Sequence, residues 1–114
     1  MKIANKNARE YVQNRKPFEG NNLYGKQRTL VTADDTVSWY TVYSYAEHYP
    51  MFVYINGHWF ENEDKYSPTT SKHRSQCHPH TTTFPLSTQW MKALAEQGYV
   101  ALAKMRITLG VTWL

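Results

Sequence analysis

The densest concentration of reactive side chains is the run Lys72-His73-Arg74-Ser75-Gln76-Cys77-His78-Pro79-His80. One soft thiol and three imidazoles so close together are zinc-type ligands, which makes His73, Cys77, His78 and His80 weak candidates for a metal site. His73 and Cys77 are spaced for one face of a helix, but Cys77-His78-Pro79-His80 cannot continue that helix, and no second CxxC or HxxxH pair completes a set. The expectation is therefore no metal and no cofactor. Cys77 is flanked by Lys72, Arg74 and His78, which could lower its thiol pKa, and His48 or His73 could serve as a base. A small metal-dependent hydrolase or a transferase thus stays as an alternative. The chain has no Gly-rich phosphate loop, no GxSxG and no HExxH, and Asp34-Asp35 sits in turn-forming sequence. An enzyme is less expected than a binding protein.

The segment Lys65-Tyr66-Ser67-Pro68-Thr69-Thr70-Ser71-Lys72-His73-Arg74 carries a different chemistry. Hydroxyls interleaved with Lys, His and Arg are what an anion or phosphate site uses, the hydroxyls donating and the cations supplying charge. The expected binding set is Tyr66, Ser67, Thr69, Thr70, Ser71, Lys72, His73 and Arg74, joined by Tyr45 and His48. On this reading Lys72→Ala and Arg74→Ala abolish binding and leave the melting temperature nearly unchanged. The plain alternative is a loop whose Ser and Thr serve its own turns. Tyr40, Tyr43, Tyr45, Phe52, Tyr54 and Trp59 could also stack unpaired bases, although helices packed on a sheet would need the same rings as their seat.

Positioning these residues falls to a chain of 114 residues, the size of one domain spanning 1–114. Nine Tyr, four Trp and four Phe supply enough aromatic area for a core in spite of a modest apolar fraction. The net charge of +4 suits a polyanionic partner without requiring one. Residues 2–28 and 65–85 hold most of the cations, while the acids lie largely between them, a distribution that favours one basic face. The single cysteine excludes an internal disulfide and fits a reducing cytoplasm. With no signal-like start and no apolar run near the ~20 residues of a membrane span, a cytoplasmic protein without a membrane partner is expected.

Ala4, Ala8, Tyr11 and Val12 share a helical stripe that Pro17 should end near Asn14 to Lys16. Gln27 to Thr32 reads as a short strand, Ala33 to Thr36 as a turn, and Val37 to Tyr45 as a strand rich in β-branched and aromatic residues. Asn56-Gly57 between Met51–Ile55 and His58–Glu61 predicts a two-residue hairpin pairing Ile55 with His58, Tyr54 with Trp59 and Val53 with Phe60. Met51, Val53, Ile55 and Phe60 would share one face, and Phe52, Tyr54 and Trp59 the other. Residues 62–85 read as a long polar loop. Ser87 is the expected N-cap of a second helix, with a Leu86–Met91 staple and Gly98 as its stop. Met105, Ile107, Leu109, Val111 and Trp113 alternate with polar residues, which predicts a C-terminal strand within residues 99–114. The sum is an α+β fold: a small antiparallel sheet with a central Asn-Gly hairpin and two short helices packed on it.

The blocks Tyr43-Ser44-Tyr45, Pro50-Met51-Phe52-Val53-Tyr54, Trp59-Phe60-Glu61-Asn62, Asp64-Lys65-Tyr66-Ser67 and Thr69-Thr70-Ser71-Lys72-His73 resemble a family of small bacteriophage and mobile-element proteins of unknown function. Phe18-Glu19-Gly20-Asn21-Asn22-Leu23 and Leu86-Ser87-Thr88 with Met91-Lys92 fit the same pattern. The resemblance covers about two thirds of the chain and implies a phage accessory protein in the host bacterial cytoplasm, with no catalytic residues to carry over. The region from Met105 to Trp113 looks like an extension of that pattern, and Cys77 does not belong to it. The leading expectation is binding to nucleic acid or a host nucleoprotein complex. The alternative of another class is a protein-binding inhibitor of a host defence enzyme.

Overall fold

A computed structural model describes residues 2–45, 49–64 and 68–111. Six strands form one sheet in the order β1-β2-β3-β4-β5-β6. They are β1 (Phe18–Glu19), β2 (Leu23–Val31), β3 (Thr36–Ser44), β4 (Tyr49–Ile55), β5 (His58–Asn62) and β6 (Phe84–Leu86). Every neighbouring pair is antiparallel except β5 with β6, which run parallel. Among the described residues there are four α-helices: α1 (Ala8–Gln13), α2 (Pro68–Cys77), α3 (Thr88–Gln97) and α4 (Tyr99–Leu109).

The α+β class and the central hairpin are as the sequence predicts. Asn56 and Gly57 both take positive φ, 53° and 77°, the pair of left-handed residues a type I′ turn demands. The pairs Ile55–His58, Tyr54–Trp59 and Val53–Phe60 form as expected. Met51 departs from the expected face. A β-bulge between Val42 and Tyr43 pairs Val42 with Phe52 and Tyr43 with Pro50. That leaves Met51 as the extra residue, and it packs with Phe52 and Trp59.

Both faces of the sheet are covered. On one, Trp39, Tyr43, Val53, Ile55 and Phe60 pack against Met91, Leu94 and Ala95 of α3 and Ala101, Leu102 and Met105 of α4. On the other, Tyr40, Val42, Phe52 and Trp59 pack against Ala8 and Val12 of α1 and Cys77 of α2. Two helices lie on each face, where the sequence suggested two in all.

Two further expectations give way. The segment 62–85 contains α2 and β6 and forms a crossover from β5 into its parallel neighbour. Its buried helical stripe is Thr70, His73 and Cys77, spaced i, i+3, i+7 but with polar residues at two of the positions, so hydrophobic periodicity does not reveal it. The expected C-terminal strand is helix α4. Ala101-Leu102-Ala103-Lys104-Met105-Arg106 are all strong helix formers. The alternation of Met105 and Ile107 merely places one on the buried side and the other on the exposed side. Residues 112–114, at the end of the expected strand, lie outside the described residues.

Candidate functional site

The described part of the expected binding segment is helix α2, and its position follows from what holds it. Pro68 opens it, where proline's missing N–H costs nothing. At its other end Arg9 of α1 donates from Nε to the His78 carbonyl (2.9 Å) and from its terminal nitrogen to the Ser75 carbonyl. Gln13 of α1 donates to the Pro79 carbonyl (3.1 Å). These bonds satisfy carbonyls left over at a helix C-terminus, and α1 thereby fixes α2 against the sheet.

Inside that clamp, the residues expected to bind together separate into three groups. Thr70 and His73 face the sheet, His73 with 4% of its surface exposed. His73 Nδ1 and Ser44 Oγ are hydrogen-bonded at 2.8 Å, and the Tyr45 ring lies 5.8 Å from the His73 ring. Burial, and then Lys72, hold the His73 pKa below its ordinary value. A Ser–His pair is the geometry of an activated nucleophile, yet Ser44 is fully enclosed. No substrate reaches it, and the pair serves to seat α2.

Arg74 is engaged in structure. It donates to the Tyr49 hydroxyl (2.8 Å) and the Asp64 carbonyl (3.2 Å), and its Nε lies 3.7 Å from Glu61 Oε2. Tyr49 donates its hydroxyl to the same Asp64 carbonyl. Glu61 in turn receives Thr83 Oγ1 (2.7 Å) and faces His78 Nε2 (3.3 Å). Asp64 Oδ2 accepts from the backbone N–H of Thr88 (2.7 Å) at the start of α3, which holds its carboxyl below the ordinary carboxylate range. Arg74 therefore locks the chain after β5 to α2 and does not belong to an open binding face.

The third group is exposed: Thr69, Ser71 and Lys72. Thr69 and Lys72, with the edge of His73 and with Gln76, form a stripe at i, i+3, i+4, i+7 of α2. Across from it lie Ile3, Ala4, Asn5 and Asn21, and together these eight residues line an open groove of ≈ 390 Å³. Its far wall is tied together by a pair of hydrogen bonds. The Asn5 side chain donates to the Asn21 carbonyl (3.0 Å) and accepts from the Asn21 N–H (2.8 Å). The groove has one lysine, a hydroxyl, amides and no carboxylate in its lining. Gln76 Oε1 is a buried acceptor with no hydrogen-bond partner among the described residues. The open lining can therefore take a ligand that bears a negative group.

Of the residues expected from sequence to bind, Thr69, Lys72 and His73 line this groove, and Asn5, Asn21 and Gln76, which sequence reading did not name, line it with them. Had the segment been read as a helix, Gln76 would have followed from its spacing; Asn5 and Asn21 had no local signal. His48, Tyr66 and Ser67 lie outside the described residues.

The weak metal candidates do not converge. His73 is bound to Ser44, Cys77 is buried, and the His78 and His80 rings stand 6.1 Å apart. Among the described residues no three His, Cys, Asp or Glu side chains are grouped to hold a metal ion. The reactive thiolate expected from neighbouring cations is overturned. Burial pushes the Cys77 thiol up to about 12, and Arg9 only partly offsets this. The stacking expectation fails for Tyr40, Tyr43, Phe52 and Trp59, which are buried beneath the helices. No described helix is long and apolar enough to cross a membrane. No family model, no curated protein and no solved structure matches this chain.

Proposed function

We propose that the chain is a phage accessory protein that binds nucleic acid, alone or within a host nucleoprotein complex, through the groove between α2 and the N-terminal segment. The observation that carries this reading is the groove's lining: the exposed Lys72 and Thr69 facing Asn5 and Asn21, with no carboxylate. A nucleotide segment brings a phosphate for Lys72 and base or sugar edges for the Asn5 and Asn21 wall. The net charge of +4 favours the same class of partner, and the phage setting draws on the sequence resemblance.

The test is fluorescence anisotropy with single- and double-stranded DNA and RNA oligonucleotides at ~50 and ~200 mM salt, a range over which phosphate contacts lose affinity steeply. Binding that falls with salt and drops about tenfold in Lys72→Ala supports the groove. A flat response with every oligonucleotide rejects it.

A second reading, inhibition of a host defence enzyme by direct protein contact, draws on apolar residues exposed away from the groove. Leu30 and Val31 on the β2–β3 hairpin and Ile107 on α4 are such residues. A host protein that copurifies through nuclease and high salt, in the absence of nucleic-acid affinity, would favour it.

A further inference from the structure

Helix α4 is apolar on two opposite sides. Ala101, Leu102 and Met105 are buried against α3 and the sheet. At a rotation of 100° per residue, Val100, Ala103 and Ile107 line up on the reverse side. There they meet solvent: Ile107 is 85% exposed and Val100 49%. Single exposed apolar residues are ordinary. An uninterrupted i, i+3, i+7 stripe opposite an already buried one is not, because it leaves a second apolar side of the same helix without a partner.

The charges around the stripe select what covers it. Lys104 and Arg106 flank it on either side, and α4 contains no acidic residue. The nearest acid in sequence, Glu96 on α3, shares a small cleft with Arg28 and Lys92. A second copy of this chain fits poorly. Antiparallel pairing of two α4 helices centres on Ala103 and Lys104 and brings two lysines together at the axis. The stripe also holds only three side chains over about 10 Å of helix, too little apolar surface to supply the ~1,200 Å² a stable dimer interface buries. A lipid surface fits poorly as well, since interfacial helices present one broad apolar face and this helix has already spent its larger one on the core.

We infer that the Val100–Ala103–Ile107 stripe of α4 is a docking surface for an acidic amphipathic helix of a partner protein. The partner's apolar side chains seat on the stripe, and its carboxylates meet Lys104 and Arg106. The contact is small and charge-assisted, so it is transient and salt-sensitive. It is independent of the nucleic-acid groove, which lies on the opposite face of the sheet with α1 and α2.

The experiment uses the full chain and two synthetic helical peptides with the same leucine stripe, one flanked by glutamates and the other by lysines. Fluorescence anisotropy is read with the wild type, Ile107→Asp and Lys104→Glu/Arg106→Glu. All altered side chains are exposed, so the variants should melt with the wild type. The expected result is binding of the glutamate peptide that falls at least tenfold in each variant and with rising salt, with little binding of the lysine peptide. Equal binding of both peptides, no binding of either, or binding indifferent to the variants would overturn the inference. Light scattering that shows a dimer dissociated by Ile107→Asp would overturn it in favour of a second copy. Binding to phosphatidylglycerol vesicles that is lost in Ile107→Asp would overturn it in favour of lipid.

Discussion

Ser44 Oγ on β3 lies 2.8 Å from His73 Nδ1 on α2, with Ser44 fully buried and His73 almost so. The bond helps tie a polar helix to the sheet, and burial of the ring favours its neutral form. Burial and Lys72 lower the His73 pKa in the folded chain, while the unfolded chain titrates near the ordinary ~6.5. Between those two values the unfolded state binds the extra proton. The His73 contribution is therefore whole above about pH 6.5 and shrinks as pH falls toward the folded value. Urea denaturation at pH 7.5 and 5.5 should show a loss of stability that is smaller in His73→Asn. An identical loss in both proteins would remove His73 as its source.

Cys77 should be chemically silent. Its thiol is buried and raised to about 12, so almost no thiolate exists near neutral pH. Ellman's reagent at pH 8 should label the folded protein hardly at all and the denatured protein once per chain. Rapid labelling of the folded chain would restore the reactive-thiol reading.

Most elements with apolar cores were legible in the sequence, α4 excepted, and the helix seated by polar bonds was not. The Asn56-Gly57 hairpin, α1 with Ala8 and Val12, and α3 with its Ser87 cap announce themselves by turn chemistry, periodicity and capping. The Ser87 hydroxyl does accept from the Trp90 N–H (3.4 Å). Helix α2 is held by His73, Arg74 and the reach of Arg9, long-range polar contacts with no local pattern. Helix α4 was hidden by its own double-sided hydrophobicity, which imitates the alternation of a strand. The candidate groove was half legible for the same reason. Its α2 residues are contiguous, while Asn5 and Asn21 arrive from elsewhere in the chain.

Lys72 and Arg74, two residues apart on α2, should part company when each is changed to alanine. Lys72 is exposed, and its loss should leave the melting temperature within about 2 °C, as for most surface changes. Arg74 bonds to Tyr49 and the Asp64 carbonyl and pairs with Glu61, so Arg74→Ala should cost about 2 kcal/mol. That corresponds to a fall of roughly 8 °C. On this structure the change should spare stability at Lys72 and not at Arg74, and calorimetry of the two variants decides it.

Gly98 joins α3 to α4 without a loop, and only glycine can do so there. Its φ of 54° with ψ of −118° is a conformation other residues avoid. A Cβ at that position would stand 2.4 Å from the Trp39 ring. Trp39 cannot retreat, because its Nε1 donates to the Ala95 carbonyl (3.0 Å) and its ring meets Tyr99 edge-on at 6.5 Å. Gly98→Ala therefore combines backbone strain with overpacking, at a cost on the order of 3 kcal/mol. The tryptophan emission should shift to the red as the Trp39 site loosens, and the urea midpoint should fall. A variant with an unchanged midpoint would mean that α3 and α4 can separate from Trp39 at little cost, and α4 would then not be the rigid helix on which its exposed stripe depends.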